Sequence, residues 1–248
     1  PLARRQLLKL MLPLEQALSL CFVTADALDR AEQGGSQEAA ALLRILTPVL
    51  KYRSTRDARK MCGDAMEMRG GIGYVEEFVT PRLLRDAHLG SIWEGTGNII
   101  ALDALRRAVG RHGAESAMAD DLHHRIGEMD GVPDAYRDRL KGLVDRAIGF
   151  AREVASRDEY EADSRRATST LYHVASAVTL AWEASRVHAR RGDARRLLLS
   201  RLVLDHKLMA GDPFALQAGA AEERIAGLLL SDRPVAMKEA AAIAGTNI

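Results

Sequence analysis

The residues of this chain whose types and spacing suit chemistry are gathered between positions 67 and 98. Three stretches carry them: Glu67-Met68-Arg69-Gly70-Gly71-Ile72-Gly73-Tyr74, then Pro81-Arg82-Leu83-Leu84-Arg85-Asp86, then Ile92-Trp93-Glu94-Gly95-Thr96-Gly97-Asn98-Ile99. Glycines let the backbone adopt positive φ and approach a ligand closely, and their amides can hold phosphate oxygens. The Gly-Gly-x-Gly follows a helical pattern and not a strand, so it lacks the context of a Rossmann fingerprint and also suits a plain connector between helices. Glu94 has two readings. Beside Trp93 and Gly95 it suits the mouth of an apolar pocket, where burial raises a carboxylate's pKa and makes it a general base. As a loop acid before a helix it equally suits a solvated position near a helix N-terminus.

A second group is basic. Arg186, Arg190, Arg191, Arg195, Arg196, Arg201 and Lys207 are opposed only by Asp193 and Asp205 within residues 186–207, a density able to supply a phosphate footprint. The Gly192-Asp193 turn separates the first three arginines from the others, and Arg-rich helical faces also serve simply as solvated ones. His123-His124 point to different sides of a helix and gain no third ligand at useful spacing, so no metal site is read there.

Helices must position these groups. Aromatic residues make up only 4% of the 248 residues, against 47% apolar and 28% charged. Material rich in Ala, Leu, Arg and Glu forms helices readily and excludes an all-β fold. A net charge of +1 leaves any attraction to nucleic acid to local clustering. Cys21 and Cys62 lack a C-x-x-C partner and read as reduced thiols of a cytoplasmic protein. No apolar run approaches the roughly 20 residues a span requires, so no membrane partner is expected. The opening Pro1-Leu2-Ala3-Arg4-Arg5-Gln6-Leu7-Leu8 has neither initiator Met nor signal pattern and reads as the inside of an amphipathic helix cut from a longer chain.

Leu7, Met11, Leu14, Leu18, Cys21, Phe22, Ala25 and Leu28 share one broad apolar face, with Pro13 expected to kink or interrupt the helix. Ser36 suits the cap of a second helix that runs toward Met68, with an irregularity at Pro48. Gly70 to Tyr74 breaks it, Thr80 caps a short helix over 81–88 with Pro81 first, and a loop over 90–97 precedes a helix carrying Ile99, Ile100, Leu102, Leu105 and Val109. Further helices are marked by Tyr136 to Val154, by Leu171, Val174, Ala175, Val178 and Trp182, by Leu197 to Met209 and by Leu216 to Leu230. The turns between them are Gly131-Val132-Pro133-Asp134, Gly192-Asp193 and Gly211-Asp212-Pro213. The expected fold is all-α: an antiparallel helical bundle over residues 1–112 and a helical C-terminal extension over 113–248. Trp182 is expected in the core, and the Leu and Ala stripes over residues 2–60 suit either the bundle or a subunit interface.

The order of helix, G-G-x-G-Y, short helix, R-D-A and I-W-E-G-T-G-N-I closely resembles the C-terminal domain of the flavin-dependent acyl-CoA dehydrogenases, over residues 1 to about 110. Within that superfamily it is most similar to the AidB-like alkylation-response flavoproteins. Glu67 stands where most acyl-CoA dehydrogenases have Gln, and the W-E-G-T-G-N-I wording also marks that branch. The resemblance implies FAD as cofactor and α,β-dehydrogenation of an acyl-CoA thioester, with Glu94 as catalytic base and its backbone amide polarising the thioester carbonyl. It implies that Glu67, Met68, Gly70 and Gly71 touch the adenine dinucleotide part of FAD from a neighbouring subunit. Thr96 and Asn98 are implied as further FAD contacts, and Trp93, Glu94 and Gly95 as substrate contacts; Glu67 in place of Gln alters the usual amide contact. Also implied are a homodimer or homotetramer, electron-transfer flavoprotein as redox partner, and double-stranded DNA against the extension through Arg186, Arg190, Arg191, Arg195, Arg196 and Arg201. Family members hold much of the isoalloxazine ring and acyl-CoA with an N-terminal helical and a middle domain, so this chain alone is expected to bind FAD weakly or not at all and to be inactive. Three function classes follow: part of a flavoenzyme, a DNA-binding and DNA-protecting module, and an oligomerisation domain.

Overall fold

The helix-forming composition is realised throughout: the computed structural model describes residues 1–209 and 220–245, and no strand occurs among them. Helices α1 (Leu2–Glu32) and α2 (Gln37–Met68) make a long hairpin. Ser36 closes it as an N-cap, its Oγ accepting from the Ala39 N–H at 3.1 Å. That bond satisfies one of the four donors a helix start leaves open. Ser36→Ala is expected to lower stability by about 1 kcal/mol, read as a shift in the urea midpoint at unchanged slope.

Neither proline stops its helix. Pro13 and Pro48 both lie buried inside continuous helices. Each removes a backbone donor, and burial of the helix against its neighbours holds the local geometry. The sequence expectation of an interruption at Pro13 is therefore corrected. The apolar face marked on α1 is the one left open: Leu7, Leu14, Leu18, Cys21, Phe22, Ala25 and Leu28 are exposed, whereas Leu8, Leu12, Leu20, Val23 and Ala27 enter the core. By length and composition α1 is also apolar enough to cross a membrane, against the expectation that no segment is. Residues 10–25 carry one charge, Glu15. In this structure, however, α1 packs on α2 and on a central helix, and core helices pass the same test.

The short α3 (Gly71–Tyr74) and α4 (Thr80–Leu89) follow. Val79, not Thr80, stands at the N-cap of α4, with no side-chain cap bond. Helix α5 (Gly97–Leu102) widens into a π-type stretch over Asp103–Arg111. The chain turns at Gly113, whose φ of 59° suits glycine, and enters α6 (Ala114–Gly127) and α7 (Asp134–Ser156). Helix α8 (Ser164–Arg191) runs through the middle, with Leu171, Tyr172, Val174, Ala175, Ala177, Val178, Leu180 and Ala181 all buried. Its neighbours include α1, α2, α6, α7 and α9 (Arg195–Val203). Two further helices, α10 (Ala220–Leu229) and α11 (Met237–Ala244), complete the described chain. The Gly211-Asp212-Pro213 turn and the 216–219 start of the expected helix lie outside the described residues.

One cluster of buried side chains runs from Leu8 to Ala244, so α1, α2 and the extension share a core. Some polar groups inside it are tied across helices. Gln16 Nε2 on α1 donates to Ser176 Oγ at 2.7 Å and lies 3.1 Å from His173 Nδ1 on α8. Burial, with Arg53 and Lys207 adding repulsion, holds the His173 pKa well below the usual value, so this imidazole is a neutral joint between helices. Trp182 is only half-buried: its ring lies between the Arg125 and Arg186 guanidinia, 4.6 and 5.4 Å away.

Candidate functional site

Glu94 occupies the turn that links α4 to α5. It is the one non-glycine residue with positive φ among the described residues, at 52°, and Gly95 follows at 106°. A left-handed conformation outside glycine stores strain on the order of 1–3 kcal/mol and persists only where the surroundings enforce it. The enforcement is visible. Lys51 Nζ on α2 donates to the Trp93 carbonyl at 2.6 Å, and Ile100 N donates back to the Thr96 carbonyl at 3.0 Å. A Cβ on Gly95 would come within 2.9 Å of Ile100 Cδ1, and one on Gly97 within 3.6 Å of the Tyr52 ring. The turn is thereby pressed onto the middle of α2.

The Glu94 side chain is exposed and borders an open cleft between α2 and α5, where Leu43, Pro48 and Ile100 meet Arg44 and Lys51. Neither its carboxylate nor its backbone N–H is hydrogen-bonded to the described residues. Both are therefore available to a ligand. Trp93 is 58% exposed, and Ile92 and Ile99 are exposed beside it. The enclosing apolar pocket that the sequence suggested for Glu94 is not built by the described residues; only one wall of it is present.

The glycine corner lies elsewhere. Gly70 takes φ of 61°, and a Cβ on Gly70 or Gly71 would meet nothing within 4 Å, so this backbone stands open at the end of α2. Glu67 and Met68 are exposed next to it. Gly73 is different in kind: a Cβ there would sit 2.2 Å from the Met66 carbonyl, so only glycine permits the tight return. The Glu94 turn touches α2 at Lys51 and Tyr52, whereas the corner follows Met68. The stretch from Tyr52 to Met68 rises about 24 Å at roughly 1.5 Å per residue. One chain therefore brings Trp93, Glu94, Gly95, Thr96 and Asn98 together and holds Glu67, Met68, Gly70 and Gly71 apart from them.

The basic stretch is largely engaged within the fold. Arg186 pairs with Glu128 at 2.6 Å, Arg195 with Asp193 at 2.7 Å, and Arg196 with Glu15 and Glu183, both at 3.2 Å. Arg201 is buried against Asp205 and the α11 terminus. Arg190 and Arg191 are exposed and make no ion pair among the described residues.

Sequence reasoning passed over a denser cation group on α2. Arg53, Arg56 and Arg59, spaced by three, share one side of the helix with His88 from α4. Desolvation lowers the Arg56 pKa, the nearby Tyr52 opposes this, and Arg165, Arg53 and Arg59 lower it further. The spacing of three was the signal that could have shown it.

Comparison with known proteins adds to this geometry. Residues 1–110 match the family model described as acyl-CoA dehydrogenase, C-terminal domain. Acyl-CoA dehydrogenase family member 11 of Caenorhabditis elegans is 34% identical over 149 residues, which span 60% of this chain and 24% of that protein. Putative acyl-CoA dehydrogenase AidB of Escherichia coli (strain K12) is 37% identical over 139 residues, 56% of this chain and 24% of that protein. The matched region thus spans about a quarter of each relative's length. Among solved structures, the crystal structure of C. elegans ACDH-11 in complex with C11-CoA is similar with a TM-score of 0.74 at 26% identity, covering 86% of this chain and 37% of that one. That coverage reaches beyond residue 110 into the extension.

Proposed function

Residues 1–110 belong to the acyl-CoA dehydrogenase C-terminal domain family, with AidB-like relatives, and from that premise we propose that the chain forms the C-terminal part of an FAD-dependent dehydrogenase of acyl-CoA thioesters. The observation that carries this reading is Glu94: a strained, left-handed carboxylate with no internal partner, held between Trp93 and Gly95. In this reading a Glu94 Oε takes the α-proton of the thioester, and the Glu94 N–H donates to the thioester carbonyl oxygen, where negative charge develops as that proton leaves. Trp93 and Ile99 supply apolar surface for the acyl chain.

The residues fit a dinucleotide in part. The open backbone at Gly70 and Gly71, flanked by exposed Met68, suits close approach of a phosphate-bearing group, and Thr96 and Asn98 are exposed beside Glu94. When bound, FAD supplies the acceptor for the β-hydride that no side chain can provide. The span of about 24 Å along α2 supports assigning the glycine corner and Glu94 to different flavin sites of a homodimer or homotetramer. Exposed Leu14, Leu18 and Phe22 on α1 suit such an assembly. A duplex-DNA role has less support, because Arg186, Arg195, Arg196 and Arg201 are engaged internally and only Arg190 and Arg191 of the six stand exposed without ion pairs.

With Glu94 and Trp93 open to water, the 248-residue chain alone is expected to show no acyl-CoA-dependent dye reduction. Desolvation is what turns a carboxylate into an effective base for a carbon acid. Steady turnover by the purified chain supplied with FAD would show that the missing wall is not needed, and the reading of a one-sided site would fall.

A further inference from the structure

A second concave site lies where α1, α2 and the α9 region meet, and it shares no residue with the Glu94 cleft or the glycine corner. It is a partly enclosed cavity of about 320 Å³, near the lower end of the roughly 300–1,000 Å³ common for small-ligand sites. Its apolar lining comes from Leu8, Leu12 and Pro13 on α1, Met61 on α2 and Leu202 on α9.

The charges around it nearly cancel in pairs. Arg5 binds Glu222 at 3.0 Å, Arg53 binds Asp57 at 2.6 Å, and Lys60 binds Asp64 at 2.9 Å. Two lining cations are left over: Lys9 and Lys207 make no ion pair among the described residues. Desolvation lowers the Lys207 pKa; Asp57 acts against this, and Arg53 and Lys60 add to it. The site therefore carries an excess of positive charge beside an apolar surface. His206 also lines it, 3.9 Å from Glu222.

The type of anion follows from the donors that remain. Arg53 holds Asp57 with two arms of its fork and Arg5 gives its Nε to Glu222, so the lining cations without a carboxylate partner among the described residues are two ammonium groups, which act as point charges. Two ammonium groups beside an apolar lining suit a singly charged head on a hydrocarbon tail. We propose that this cavity binds a small amphipathic carboxylate, its head between Lys9 and Lys207 and its alkyl chain against Leu8, Leu12, Pro13, Met61 and Leu202. The proposal stands apart from the flavoprotein reading, because it uses none of that site's residues.

Titration calorimetry of the 248-residue chain with sodium octanoate, 1-octanol and inorganic phosphate tests it. The expected result is one octanoate site per chain, with octanol at least about tenfold weaker, since it lacks the charge that strengthens a hydrogen bond to an ammonium group, and with no saturable phosphate binding. Lys9→Ala with Lys207→Ala should weaken octanoate by about tenfold or more at unchanged melting temperature, because both lysines are exposed and make no ion pair. Met61→Trp, which fills the cavity, should remove the site. Octanoate binding that is absent, that shows several equal weak sites, that persists unchanged in either variant, or that octanol matches would overturn the proposal. Saturable binding of phosphate alone would do so as well.

Discussion

In the complete flavoprotein of which this chain is proposed to form the C-terminal part, Glu94→Gln is expected to slow acyl-CoA-dependent dye reduction by about a hundredfold to ten-thousandfold, the usual range for loss of a positioned general base. Gln has the size of Glu and the same tolerance for the turn, so Lys51 still holds the Trp93 carbonyl and the backbone N–H of residue 94 stays in place. Binding of acyl-CoA should then change little while kcat falls. An interaction used only in the transition state has that signature. A companion variant separates chemistry from strain. Glu94→Gly adopts the φ of 52° without a Cβ penalty, so its activity should vanish with no drop in melting temperature. If Glu94→Gln reduces dye at the parental rate, the proton goes to another group and the proposed role of Glu94 fails.

The helices were legible where apolar residues keep to one stripe. On α7 the residues Tyr136, Leu140, Leu143, Val144, Ala147, Ala151 and Val154 are all buried, as their spacing indicates, and Phe150 at the edge is half-buried under the Arg166 guanidinium. On α1 the same reasoning marked a face that lies exposed. That helix is apolar nearly all round, so periodicity cannot tell the side facing α2 and α8 from the side left exposed. The Glu94 turn was legible from its glycines, because Gly95 and Gly97 leave room for Ile100 and Tyr52. Its left-handed φ was not, since a Glu has no intrinsic preference for that conformation. Counting charges over residues 186–207 found the cations but could not see Glu15, Glu128 and Glu183, which lie outside that window and reach their arginines from other elements of the fold. The cavity of Lys9 and Lys207 was invisible for a related reason: its walls are nearly two hundred residues apart in the chain.

Arg201→Ala is expected to destabilise the chain by about 2–4 kcal/mol. Arg201 is 9% exposed. Its Nε lies 2.9 Å from both Asp205 carboxylate oxygens, and its NH1 donates to the Ile243 and Ala244 carbonyls at 3.2 and 3.0 Å. Those two carbonyls lie at the C-terminal end of α11, where a helix supplies its carbonyls with no N–H donors of its own. The guanidinium therefore caps α11 from α9 and closes the end of the extension. Truncation leaves the carbonyls without their charged donor, Asp205 without its cation, and a void where the fork had been. Asp205 keeps some contact with water, at 28% side-chain exposure, which holds the expected loss below that of a fully buried pair. Arg201→Lys should recover only part of it, because an ammonium cannot present the planar fork to all three acceptors. Arg190→Ala, at an exposed residue without an ion pair, should stay within about 0.5 kcal/mol. Urea unfolding of the three variants, with hydrogen exchange along α11, measures the contrast. Equal stabilities for Arg201→Ala and Arg190→Ala would mean that Arg201 is as free as its position in a basic run first suggested, and a phosphate-binding role for the stretch would regain its footing.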